Sequence, residues 1–480
     1  MRKRLFRVTV LVAGLSLIVP LAASPSLKKK EAAAAWIDGH QAEIIGLSDK
    51  VWGFAETALL ETRSAKELAD FAESRGFTVE RGVAGMPTAF VATYGQGRPI
   101  IGLLGEYDAL PGLSQKAQSG KEALQAGAPG QGCGHNLLGA ASLGAALAVK
   151  DLIEAGKLKG TIRFYGTPAE EAVGGKVYMV RAGMFQDLDV CLTWHPDEKT
   201  EASVDGSQAI VDFVLEFNGR TAHAAADPWN GRSAVAALEL FTTGLNRMRE
   251  FVKPTVRMHY SILNGGDVPN VVPAYARLWC WLRDSKGAGV EQLLGRARRI
   301  AEGAALMAEV EWKLTVNGGD WETLVNLAGE KAMFANMQWL GPIRFTPEEQ
   351  EFAKEIQRAT GNEPKGLNGG LGPWKEPKPD PDGGSTDVGD VSWVVPTLSL
   401  TATTAPEGTP WHAWPVVACA GTSIGHKGLV YAAKVLAATT VDLFEDAKLL
   451  QAVQAEFREK TKGVVYKPFI PEGPPPAPVH

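Results

Sequence analysis

The 480-residue sequence predicts an α/β fold: a mainly parallel sheet flanked by helices, with an inserted α+β unit of ferredoxin-like order. Three observations predict it. Apolar runs at Pro99–Gly105, Gly160–Gly166 and Asp189–Trp194 have the length of buried strands and alternate with helical patterns. Each run delivers acids or a histidine at its C-terminal end: Glu106 and Asp108, Glu170 and Glu171, and His195. From Gln208 the pattern then changes to strand, helix, strand, strand, helix, strand.

Taken in order, Glu31–Leu60 carries helical spacing of Trp36, Ile37, Ile44, Ile45 and Trp52. Ser64–Arg75 is a second helix, stopped by Gly76. Phe77–Val79 and Ala89–Tyr94 are β-rich, and the first buried strand follows. Ser114–Gly132 is polar and glycine-rich and reads as a loop. An alanine-rich helix runs on through Ala148, and the second and third buried strands come after it. In the inserted unit the strands are Ala209–Phe217, Thr255–Leu263, Val272–Arg283 and Glu309–Val316, and the helices are Ser233–Val252 and Val290–Leu306. Beyond Asp320 the helical pattern resumes. Gly361–Gly384 reads as an exposed loop, Thr397–Ala402 as a strand and Gly428–Phe444 as a long helix. The proline-rich end from Pro468 reads as disordered.

The net charge of −5 without a long internal basic run argues against nucleic acid as a partner. Cys133, Cys191, Cys280 and Cys419 are far apart and lack the paired spacing of a disulfide framework. At the start, Arg2, Lys3, Arg4 and Arg7 precede a short apolar run, Val8–Val19, and Leu21-Ala22-Ala23 offers a small-residue cleavage site. A stable membrane span needs ~20 apolar residues, so the expectation is a signal peptide and a periplasmic or secreted protein.

The stretch around which the chain is organised is Gly130-Gln131-Gly132-Cys133-Gly134-His135. A thiol and an imidazole two residues apart on a glycine-rich turn can reach one metal ion; alone, the pair equally suits a small buried cysteine beside a capping histidine. Its neighbours shift the balance, because ligands of a parallel sheet gather outside the strand C-termini. Cys133, His135, one of Glu170 and Glu171, His195 and one C-terminal histidine make five candidate ligands. Two bridged ions use five ligands comfortably, and a carboxylate that is not a ligand is needed beside them to take a proton from water.

With these residues in view, the chain resembles the metallopeptidase and amidohydrolase family that includes glutamate carboxypeptidase and aminoacylase. Within it, the Cys-Gly-His stretch resembles the branch of the indole-acetyl-amino-acid hydrolases. The resemblance covers about Leu47 to Phe457 and is carried by Gly102–Gly112, Gly132–Gly139, Arg163–Gly166 with Glu170-Glu171, Leu192–Pro196 and Ser385–Trp393. It implies a two-domain fold, with a metal-binding catalytic domain and a lid that dimerises; for the two divalent ions, thiolate favours zinc, while carboxylate and imidazole tolerate manganese. Carried over, Cys133 bridges the ions and His135, Glu171 and His195 are ligands, with Glu170 the general base and Asp108 the acid that orients a ligand. The family's usual histidine two residues before that acid is here Glu106, which leaves Glu106 without a role. The last ligand is His412 in preference to His426. In the lid, His223 of Gly219-Arg220-Thr221-Ala222-His223 would reach a partner subunit's site and stabilise the oxyanion, and Asn270 matches a second lid motif. Arg283 could pair with a substrate carboxylate or lie solvated at a strand end.

The expected organisation is 1–23 signal peptide, 27–207 and 319–465 catalytic domain, 208–318 lid, and 466–480 disordered tail. The expected activity is hydrolysis of an amide between an acyl or aroyl group and an amino acid, with an aroyl-glutamate among the candidates. A dipeptidase or deacetylase on the same site is the alternative; a non-catalytic metal- or solute-binding protein is a third. The expected assembly is a homodimer or a heteromer with a paralogous subunit.

Overall fold

The computed structural model describes residues 25–381 and 383–475; the expected signal segment 1–23 lies outside them. In chain order the catalytic part begins with α1 (Pro25–Phe54), α2 (Thr62–Ser74), β1 (Thr78–Arg81), β2 (Phe90–Gly95), β3 (Ile100–Gly105), α3 (His135–Glu154), β4 (Thr161–Gly166), α4 (Gly175–Arg181), β5 (Val190–Asp197) and β6 (Glu201–Ala202). A second unit follows: β7 (Ala209–Asn218), α5 (Ala234–Met248), β8 (Arg257–Asn264), β9 (Tyr275–Asp284), α6 (Gly287–Ala308) and β10 (Glu311–Asp320). The chain then returns through α7 (Leu327–Leu340), α8 (Pro347–Ala359), α9 (Val388–Ser392), β11 (Thr397–Thr403), α10 (Trp414–Ala420), α11 (Ser423–Glu445) and α12 (Ala447–Thr461).

The large sheet has the order β1-β2-β4-β3-β5-β11-β6. Its centre is parallel: β3 pairs with β4 and β5, and β5 with β11. Parallel strands buried on both faces read as continuous apolar runs, which is why Ile100–Gly105 and Val190–Trp194 stand out in the sequence. Helices α1, α3 and α11 pack on one another, α3 and α11 also pack on this sheet, and Leu103, Phe164, Leu192, Leu143 and Leu436 meet in one core. Close approach accounts for a glycine here: a Cβ on Gly139 of α3 would lie 2.5 Å from the Glu106 carbonyl oxygen. Only a bare backbone lets α3 settle that near the end of β3.

The second unit is a four-stranded antiparallel sheet, β10-β7-β9-β8, with α5 and α6 on one face. It has its own core, which includes Phe213, Phe217, Phe241, Leu278 and Ala297. The strand-helix-strand-strand-helix-strand order expected from the sequence is the order observed.

Two expectations differ from the structure. His426, expected just ahead of the long helix, is inside α11. The chain end, expected to be disordered, is seated across the joint between the two units over Tyr466–Gly473. Tyr466 donates its hydroxyl to Asp390 at 2.6 Å, Phe469 stacks on Trp321 at 5.9 Å, and Arg181 donates to the carbonyls of Pro471 and Gly473. Proline content signals extended chain, but Tyr466, Phe469 and Ile470 supply apolar surface that packs on the fold.

Candidate metal centre

The ligand candidates arrive on separate chain segments, and three of those segments turn through the left-handed region: Gly134 at φ +80°, Ala169 at +62° and His412 at +55°. The two non-glycine cases cost about 1–2 kcal/mol each, a strain that recurs where chains are held for function. Gly134 separates Cys133 from His135, the first residue of α3. A Cβ at Gly134 would press on the Pro196 ring at 3.1 Å, so the turn lies directly against β5.

Asp108, just beyond β3, grips two neighbours at once. Its Oδ1 is 2.8 Å from His135 Nδ1, and its Oδ2 accepts the Glu171 backbone N–H at 2.9 Å. A carboxylate only accepts, so His135 Nδ1 carries a hydrogen, which leaves Nε2 as the ring nitrogen free to hold a metal. The Glu170-Glu171 turn follows β4, and the Ala169 N–H ahead of it is held by the buried Glu61 carboxylate at 2.9 Å. On β5, His195 Nδ1 donates to the Pro196 carbonyl at 2.6 Å, leaving Nε2 at 3.3 Å from Cys133 Sγ.

His412 comes from the loop before α10. Its N–H donates to the Gly132 carbonyl at 3.2 Å, and its Nε2 is 3.5 Å from Glu171 Oε2. His426 instead pairs with Asp49 at 2.9 Å, away from these residues. Among the described residues, three sets of side chains offer donor atoms within 4.8 Å of one another: Cys133, His135 and His195; Cys133, Glu171 and His412; and His135, Glu170 and Glu171. Cys133 belongs to the first two.

The electrostatics call for cations. Burial, then the neighbouring Glu106 and Glu171, holds Glu170 well above the usual carboxylate range. Burial pushes Glu171 up to about 7, and pushes the Cys133 thiol up as well. Burial and the adjacent His135 push His195 down to about 4. Glu106 Oε2, His135 Nε2 and Glu171 Oε1 are buried without a hydrogen-bond partner, although such atoms are nearly always satisfied. Thiolate, imidazole and carboxylate donors with unmet acceptors suit divalent metal, and the residues fit that group.

Sequence reasoning missed Lys176. It is fully buried in α4, 2.6 Å from Glu106 and 2.7 Å from Asp387. A lone lysine inside the apolar stretch Gly174-Gly175-Lys176-Val177-Tyr178-Met179 was the available signal. Glu106, left without a role by the sequence, is its partner.

In the single chain the hydrogen bonds of His223 and Asn270 lie within the lid. His223 is exposed, and its Nδ1 accepts the backbone N–H groups of Ala225 and Ala226 at 3.2 and 3.1 Å. The Asn270 carbonyl accepts the Ala224 N–H at 3.0 Å, which ties the two lid motifs together. Arg283 on β9 lies over the Trp281 ring at 5.1 Å with Asp320 nearby, and its Nε is buried without a partner.

Fold and site together define a metal-dependent amidohydrolase with an inserted second domain. Residues 206–307 match the peptidase dimerisation domain of the M20 family. The chain is 40% identical over 469 residues to the B subunit of p-aminobenzoyl-glutamate hydrolase from Escherichia coli, covering 92% of this chain and 98% of that one. It is 30% identical to the Xaa-Arg dipeptidase of Mus musculus, covering 90% and 92%. Among solved structures it is similar to a dinuclear metal-binding peptidase of the M20 family from Bacillus subtilis, with a TM-score of 0.58 at 17% identity, over 85% of this chain and 99% of that one. The chain belongs to the M20 family of metallopeptidases and amidohydrolases.

Proposed function

We propose that this chain hydrolyses the amide between an acyl or aroyl group and an amino acid, p-aminobenzoyl-glutamate being the first substrate to test. The observation that carries the reading is the shared place of Cys133 in two ligand sets, one with His135 and His195 and one with Glu171 and His412. A thiolate common to both is what a pair of ions needs as a bridge. Zinc is favoured by the thiolate and imidazoles, and manganese by the carboxylate. Bound there, the two ions would polarise the scissile carbonyl and acidify the attacking water.

The chain's own groups supply the rest. Glu170 takes the proton of the attacking water and returns it to the leaving nitrogen. Asp108 keeps the His135 ring and the Glu171 turn in place. His223 has its Nδ1 filled by two backbone donors, so Nε2 carries the hydrogen and can donate to the developing oxyanion. Because His223 is exposed and its hydrogen bonds lie within the lid, it acts in the site of a second copy. The matched dimerisation domain supports that assembly. The Escherichia coli relative is one of two differently named subunits of its hydrolase, so a heteromer fits as well as a homodimer. Arg283, with an unpartnered Nε, is the candidate for the substrate carboxylate. The basic start and short apolar run of residues 1–23 support export to the periplasm or beyond.

A second reading, dipeptide hydrolysis, is favoured by the similarity to the Xaa-Arg dipeptidase. The test is amino-acid release by the purified protein, reloaded with zinc or manganese, from p-aminobenzoyl-glutamate, N-acetyl amino acids and Xaa-Arg dipeptides, with Glu170→Gln as control. Release from the first two classes supports the amidohydrolase reading. Release from dipeptides alone shifts it to the second, and release from none defeats both.

A further inference from the structure

Glu106 and Lys176 take no part in the reaction described above, yet they lie at the centre of the site, 2% and 0% exposed. Lys176 Nζ sits 2.6 Å from Glu106 Oε1 and 2.7 Å from Asp387 Oδ1, and Asp387 Oδ2 accepts the Lys176 backbone N–H at 2.8 Å. One Glu106 oxygen is therefore fixed. The other, Oε2, is 3.1 Å from His135 Nε2, and neither atom makes a hydrogen bond.

That contact needs an explanation. His135 Nδ1 gives its hydrogen to Asp108, so once His135 holds an ion its Nε2 is the ligating lone pair, and Glu106 Oε2 is the acceptor beside it. Two acceptors in a dry interior repel unless a cation lies within reach of both. Two ligands at about 2.0–2.2 Å from one ion stand roughly 2.8–3.6 Å apart at angles between octahedral and tetrahedral, a range that includes the 3.1 Å seen. Lys176 is accounted for in the same way. A buried ammonium is tolerated when carboxylates satisfy it, and its pull on Oε1 leaves Oε2 turned to His135.

We propose that Glu106 Oε2 is a further ligand of the ion that His135 holds, with Lys176 as the counter-ion that fixes Glu106 Oε1 and so aims Oε2 at His135. The proposal rests on the two-ion reading of the site.

Cobalt(II) titration of the metal-free full chain tests it, because cobalt reports each ligand type by absorption. The wild type is expected to take about two ions, with a thiolate-to-cobalt band from Cys133 and visible bands set by the coordination number. Glu106→Gln is expected to weaken one of the two ions by ~100-fold or more and to change the visible bands, while the thiolate band persists. Lys176→Met is expected to weaken the same ion by ~10–100-fold. Glu106→Asp keeps the charge but shortens the reach by one methylene, so it should show the same loss, and it serves if Glu106→Gln does not fold. Unchanged affinity and bands in folded Glu106→Gln would overturn the proposal and leave Glu106 as the ion-pair partner of a protonated His135. A wild type that binds no cobalt, or one ion only, would instead overturn the two-ion reading.

Discussion

Cys133 Sγ lies 3.3 Å from His195 Nε2, and the opposite nitrogen of that ring is committed to the Pro196 carbonyl at 2.6 Å. The ring can therefore offer only a lone pair toward the thiol. Cys133→Ser should lower metal content from about two ions per chain to below one, because the residue serves both ligand sets. Elemental analysis of the purified variant checks this. A variant that keeps both ions would remove Cys133 as the bridge.

Glu170 and Glu171 are adjacent, but only Glu171 shares a set with Cys133 and His412. Glu170→Gln should retain metal and lose kcat by ~10²–10⁴-fold, the range for a lost general base. Glu171→Gln should lose metal first and activity with it. Metal content and kcat measured together separate the two, and a reversed pair of phenotypes would exchange their roles.

His223→Ala should lower kcat by ~10²-fold or more while leaving metal content unchanged. Co-expressed with Glu170→Gln chains, it should recover activity, since a mixed dimer regains one whole site. The in-trans role is wrong if isolated mixed dimers stay inactive.

Glu330 on α7 tests the fold away from the metal residues. Its Oε1 accepts the Ser399 N–H of β11 at 2.7 Å, and Oε2 is buried without a partner. Burial holds this carboxyl well above its ordinary 4.5, with the Ser399 bond opposing and Glu456 adding to the rise. A raised acid stabilises the fold fully below about 4.5 and progressively less as pH climbs toward the folded-state value. Glu330→Gln keeps the acceptor without the charge. It should raise the Tm at pH 8 by roughly 1–3 °C and make little difference at pH 4.5. Thermal melts at the two pH values decide it, and equal shifts would refute the assignment.

Much of this was legible because periodicity is local. The apolar strands fixed where Asp108, Glu170 and His195 emerge, and in the lid the switch from period 2 to 3.6 was clean enough to name all six elements in order. Lys176 was hidden because a lysine in a helix ordinarily reads as solvated, and its partners Glu106 and Asp387 lie 70 and 211 residues away in sequence. The packed chain end was hidden for a related reason. Prolines report backbone shape, whereas the grooves that receive Tyr466 and Phe469 belong to distant segments such as Trp321. His412 could be ranked above His426 from the sequence, but its strained backbone and its bond to Gly132 belong to the folded loop alone.

Ile210, at the start of the second unit, stands directly opposite Asp320, at its end, across the β7–β10 ladder. The unit therefore leaves and rejoins the rest of the chain at neighbouring points, about one strand spacing apart. A connector of two or three residues could span that gap, so the gene segment between could be cut out or replaced without moving either flanking strand of the large sheet. Inserted pieces with such adjoining ends behave as cassettes, and exchanging this one would change the subunit contacts and the lid residues His223 and Arg283 together while leaving Cys133, His135, Glu171, His195 and His412 where they are.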